Sequence, residues 1–160
     1  MPNASVPTAG AVTASSGLTL RFVGDVDDSL RREVRAFAGW IRQWYTFPNP
    51  LEIRLLAQDV ITGDDGQDFE MSWWQSERGR ERVVVELAVG SLACGPALGH
   101  RGTGCPEALA AVGRGLKCYY QSVGNAPFRS DHVERWSEKL LQAYLEDGTP
   151  PPPRSGVKER

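Results

Sequence analysis

Histidine is almost missing from this chain. His100 and His132 are the two among 160 residues, and they share no metal-ligand spacing. Each reads as a solvated loop or helix-start residue, with neither placed to serve as a ligand. Cysteine is nearly as scarce: Cys94, Cys105 and Cys118 contain no CxxC pair, which excludes zinc-ribbon and thioredoxin-type signatures. A Cys94–Cys105 disulfide would span a glycine-rich loop, but free thiols are the expectation for a reducing compartment. There is no excess of positive charge either, since 18 basic residues face 20 acidic ones for a net charge of −2. Dedicated nucleic-acid or membrane-surface binders lean on such an excess, so both classes of partner are set aside. No apolar run approaches the ~20 residues of a membrane span. The first residues, MPNASVPTAGAVTASSG, lack the basic and apolar regions of a secretory signal. The expectation is a soluble, cytoplasmic protein whose partner, if it has one, is another protein.

Arginine outnumbers lysine 15 to 3, alongside abundant Ala, Gly and Pro, a pattern of GC-rich coding that carries no functional meaning here. A hydrophobic content of 41% over this length suits one ordinary core. Residues 1–17 are small, polar and aperiodic and read as a disordered leader. Residues 18–147 read as a single domain. Residues 148–160 carry four consecutive prolines and read as an extended or disordered tail. Both ends are expected to be dispensable for the fold.

Within the domain the hydrophobic period changes from segment to segment. Leu18 to Val23 alternates as a strand does. After a turn, with Asp28 as expected N-cap, Ser29 to Tyr45 carries a helical stripe of Leu30, Val34, Phe37, Ala38, Ile41 and Trp44. The Phe47-Pro48-Asn49-Pro50 stretch ends it. Leu51 to Leu55 alternates again. Asp64-Asp65-Gly66 signals a turn, and Phe69 to Trp74 is a short aromatic strand. Of its Trp73-Trp74 pair, one is expected in the core and one half exposed. Arg82 to Val89, with its Val83-Val84-Val85 run, reads as a central strand forming a hairpin with the one before. Gly90 to Pro106 is a glycine-rich loop with a Gly99-His100-Arg101-Gly102 tip. Two helices close the domain, Glu107 to Val123 and Ser130 to about Leu145. The fold class is therefore α/β (α+β): a small mixed four-stranded sheet in the order β-α-β-β-β-α-α.

The Glu107–Val123 helix has two faces. Leu109, Val112, Leu116, Tyr120 and Val123 form a stripe to be buried, and Ala111, Arg114, Cys118 and Gln121 form a second, narrower one. Arg114 and Cys118 stand one turn apart on the same face. The stretch Arg114-Gly115-Leu116-Lys117-Cys118-Tyr119-Tyr120-Gln121 resembles the active-site helix of small zinc metallopeptidases of the zincin group. Those helices read His-Glu-Leu-x-His-Tyr-x-Gln, follow a short mixed sheet and precede a helix bearing a third, acidic ligand. Leu116, the tyrosines and Gln121 fit that pattern, and the element order fits over residues 18–146.

The departures fall on the chemistry. Arg114 stands for the first histidine and has no lone pair for a metal. Gly115 stands for the glutamate base, and Cys118 for the second histidine. Metal and base must act together in that mechanism. The resemblance therefore implies a non-catalytic, zincin-like protein with no cofactor, no metal and no catalytic residue, its former cleft serving as a binding or assembly surface. The candidate cleft residues are Arg114, Cys118, Gln121, Glu134 and Glu138, with Arg114 expected to pair with Glu134 or Glu138 in place of the ion. Two alternatives stand beside it: an enzyme of another class using Cys118 and Arg114, and a plain interaction module. Gly113 and Gly115 cost a helix about 1 kcal/mol each relative to Ala, so they reflect either composition or a close approach.

Overall fold

The computed structural model describes residues 17–75, 82–92, 94–95, 103–124 and 130–153. Residues 1–16 of the 1–17 leader, the 99–102 loop tip with His100, and residues 154–160 of the tail lie outside the described residues. The chain runs β1 (Leu18–Val23), α1 (Asp28–Trp44), β2 (Leu51–Leu56), β3 (Ile61–Thr62), β4 (Asp68–Phe69), β5 (Met71–Gln75), β6 (Val83–Ala88), α2 (Pro106–Val123) and α3 (Ser130–Glu146). This is the expected α/β (α+β) class with a mixed four-stranded sheet in the order β1-β2-β6-β5. β1, β2 and β6 are parallel, and β5 runs antiparallel on the edge, pairing Met71 with Leu87 and Gln75 with Val83. A small hairpin, β3–β4, closes across the Asp64-Asp65-Gly66 turn and was not expected.

Alternation decides what each face of the sheet meets. Leu51, Ile53 and Leu55 of β2 and Val83, Val85 and Leu87 of β6 join residues of all three helices in one core. α1 lies against β1, α2 against β6 and β2, and α3 packs on α2. The intervening positions carry charge: Arg54 Nε is 2.5 Å from Glu52 Oε2 and Arg54 Nη1 is 3.5 Å from Glu86 Oε2. Arg82 holds the other oxygen of the buried Glu52 at 3.2 Å.

Five local expectations need correction. The α1 cap is Asp27, whose carboxylate accepts from Leu30 N–H at 3.2 Å, so the helix starts one residue earlier and Asp28 is its first turn. Trp44 is exposed, because it lies on the outer side of the last turn against Trp40 while Ile41 and Tyr45 take the buried side. Trp73 and Trp74 are both half exposed, since β5 is an edge strand with no helix beyond it. Cys94 and Cys105 are disulfide-bonded, with Cα atoms 4.5 Å apart, so two of the three thiols are not free. The tail is held as far as Pro153: Tyr45, Trp136 and Lys117 each donate a hydrogen bond to one of its carbonyls.

Candidate functional site

α2 is fixed at its start before it reaches the site. Cys105, tied to Cys94, precedes Pro106 at the first turn, where a missing N–H costs nothing. Thr103 Oγ1 donates to Glu33 Oε1 at 2.5 Å and accepts from Cys105 N–H at 3.0 Å, joining the helix entry to α1. Two glycines then let α2 approach its neighbours closely. A methyl at Gly113 would lie 2.7 Å from Ser137 Oγ, whose hydroxyl donates to Ala110 O at 2.8 Å across the α2–α3 contact. A methyl at Gly115 would lie 2.9 Å from Val85 Cγ1 of the sheet. Close approach, not composition, accounts for both.

Leu109, Val112 and Leu116 are fully buried, as the first stripe requires. The second stripe divides. Ala111 and Arg114 line a cavity of about 290 Å³ at the carboxyl ends of β2 and β6, bounded also by Met71 at the start of the edge strand β5, Leu92 beyond β6, and Val133 and Glu134 of α3. Arg114 Nε is 3.8 Å from Glu134 Oε2, with side chains 29% and 57% exposed. The two charges face each other across a solvent-accessible mouth and share no hydrogen bond at that distance. Glu138, one turn on, is exposed and does not line the cavity, because α3 turns it outward.

Cys118 and Gln121 are buried and do not line the cavity. Cys118 is 1% exposed, and burial pushes its thiol up to about 11 while the Arg114 charge pulls the other way. A thiol so placed stays protonated at neutral pH and is a poor nucleophile. Gln121 is buried too, and its Oε1 has no hydrogen-bond partner among the described residues. The tyrosines of the motif brace the chain. Tyr119 Oη exchanges hydrogen bonds with Asn49, accepting from its N–H at 3.0 Å and donating to its carbonyl, and Tyr120 Oη donates to Thr46 O at 2.7 Å. Both phenols are raised, first by burial.

Of the five candidate residues, then, the structure brings Arg114 and Glu134 together at one cavity, buries Cys118 and Gln121 outside its lining, and leaves Glu138 exposed. Among the described residues no group of three or more His, Cys, Asp or Glu is placed to hold a metal ion. No described helix is long and apolar enough to cross a membrane. Asp59, Glu70, Met71, Ser91 and Leu92 also line the cavity and carried no sequence signal for it, since strand pairing brings them there from the start of β5 and from separate loops. No family model, no curated protein and no solved structure matches the chain.

Proposed function

We propose that the chain is a zincin-like scaffold without metal chemistry, whose cleft between α2, α3 and the edge strand β5 binds a segment of a partner protein. The observation that carries this is the cavity at the carboxyl ends of parallel strands, with a partly exposed guanidinium in its wall. Sheets of this kind place ligands there, because loops diverge at strand ends and leave a crevice. Its apolar walls, from Met71, Leu87 and Val133, suit an aliphatic side chain, while Arg114, Glu134, Asp59 and Glu70 are charges for the segment's polar groups.

The residues standing where a metallopeptidase would work support the same reading. Arg114 gives a metal no lone pair. The side-chain direction at Gly115 runs into Val85, so a glutamate base has no room without moving the sheet. Cys118 is buried and protonated, which leaves little for an enzyme that would use it as nucleophile. A cytoplasmic setting would keep Cys94 and Cys105 reduced; the bonded pair favours an oxidising one.

Equilibrium dialysis against zinc with a general peptidase screen tests the chemistry: one zinc per chain, or turnover, overturns this reading. A peptide array tests the binding. Peptides held by the wild type are expected to be lost by Ala111→Phe, which fills the cavity, and weakened by Arg114→Ala. Peptides bound equally by all three proteins place the binding surface elsewhere.

A further inference from the structure

A run of prolines offers a ligand of unusual chemistry. It has no backbone N–H, and it favours an extended helix of three residues per turn whose carbonyls point in three directions. A groove that reads such a run must therefore be lined with donors and flat apolar surface, supplied from more than one side.

Such a groove exists on this chain, and its own tail lies in it. α3 ends at Glu146; Asp147 after it holds a φ of 60°, and Gly148 N–H closes back on Ala143 O at 2.8 Å. From there Pro150 to Pro153 passes three donors from three elements. Tyr45, just beyond α1, donates its hydroxyl to Pro151 O at 2.6 Å. Trp136 of α3 donates its indole N–H to Pro152 O at 2.9 Å. Lys117 of α2 donates from Nζ to Pro153 O at 2.5 Å, and the same ammonium stands 5.3 Å from the centre of the Trp136 ring. The Tyr45 and Trp136 rings are 5.9 Å apart and complete an aromatic wall. With the tail in place the three donors are 6%, 2% and 1% exposed. Three successive carbonyls meet three donors, and these bonds use no side-chain hydrogen-bonding group of the tail. What is read is the spacing of successive carbonyls, which any proline-rich segment presents.

We propose that the groove of Tyr45, Trp136 and Lys117 is a recognition site for proline-rich segments, masked in this chain by its own Pro150–Pro153. A proline-rich segment of a partner protein enters by displacing the tail. The tether gives the tail an effective concentration on the order of millimolar, so a free segment of equal intrinsic affinity binds weakly until the tail lets go. None of these three residues lines the Arg114 cavity, and the proposal stands apart from the function proposed for it.

The test uses the full chain, isotope-labelled, with Pro151, Pro152 and Pro153 replaced by glycine to loosen the tail. The probe is acetylated hexaproline, and the readout is the indole N–H resonance of Trp136, assigned with Trp136→Phe. The loosened chain is expected to show a saturating shift at a concentration about tenfold below that needed by the wild type, and Trp136→Phe in the loosened chain, read at the backbone amide resonances of α2, is expected to abolish binding. An unmoved indole at saturating probe, or equal affinity of wild type and loosened chain, overturns the proposal. Should the triple variant lose its dispersed spectrum, Pro153→Gly takes its place. It frees the carbonyl on Lys117 alone, and a gain in affinity over wild type is required of it; no gain overturns the proposal equally.

Discussion

Ending the chain after Gly148 removes the segment that Tyr45, Trp136 and Lys117 hold, while keeping the Gly148–Ala143 bond that finishes α3. The two bonds from neutral donors are worth about 1 kcal/mol each and the one from the ammonium about 1.5–3, because folding only exchanges them for bonds to water. Against this stands the cost of ordering the tail, which is small for a proline run whose φ is fixed beforehand. The net loss is about 2–4 kcal/mol, and for a domain of this size it lowers the thermal midpoint by roughly 6–12 °C. Circular dichroism melts of the two chains at one pH and concentration measure it. Tyr45→Phe sharpens the test: it is expected to cost about 1 kcal/mol in the full chain and close to nothing in the shortened one, since the carbonyl it served is gone. A shortened chain that melts within about 2 °C of the full one refutes the reasoning. So does a Tyr45→Phe cost that is the same in both, which would place the hydroxyl's partner elsewhere.

Three further outcomes follow from the same structure. Arg114→Ala and Glu134→Ala, combined in a double-mutant cycle by urea unfolding, are expected to show coupling below about 1 kcal/mol, because the pair is wet and 3.8 Å apart; a coupling above about 2 kcal/mol would mean a dry, bonded pair. Gly115→Ala is expected to destabilise by about 1–3 kcal/mol despite alanine's better helix propensity, and Val85→Ala in the same chain to recover part of it, since Val85 Cγ1 is the atom struck at 2.9 Å. Alkaline pH is expected to unfold the protein: burial raises Cys118 from 9.0 to about 11 and raises Tyr45, Tyr119, Tyr120 and Tyr144 as well. A folded value above the unfolded one means the stabilisation is whole below pH 9 and lost as pH rises through about 11. Urea midpoints between these limits measure the loss, and Cys118→Ala is expected to remove about 2–3 kcal/mol of that pH dependence.

The periods written into the chain determined its elements. Leu51, Ile53 and Leu55 alternate, while Leu109, Val112 and Leu116 step by three and four, and each pattern has one backbone geometry that buries it. Prolines 48 and 50 and the Asp64-Asp65-Gly66 turn supplied the breaks. The shared face of Arg114 and Cys118 was legible for the same local reason. Tertiary structure decided everything that depends on residues distant in sequence. The partner of Tyr45 is Pro151, 106 positions away, and no pattern around either residue names the other. Which glutamate meets Arg114 turned on how α3 crosses α2, a crossing set by the missing side chain of Gly113. Whether Trp73 and Trp74 are covered depended on β5 ending the sheet, and strand order is a global choice. Helices and strands are local solutions to burying a stripe; cavities, clasps and disulfides come from how those solutions fit against each other.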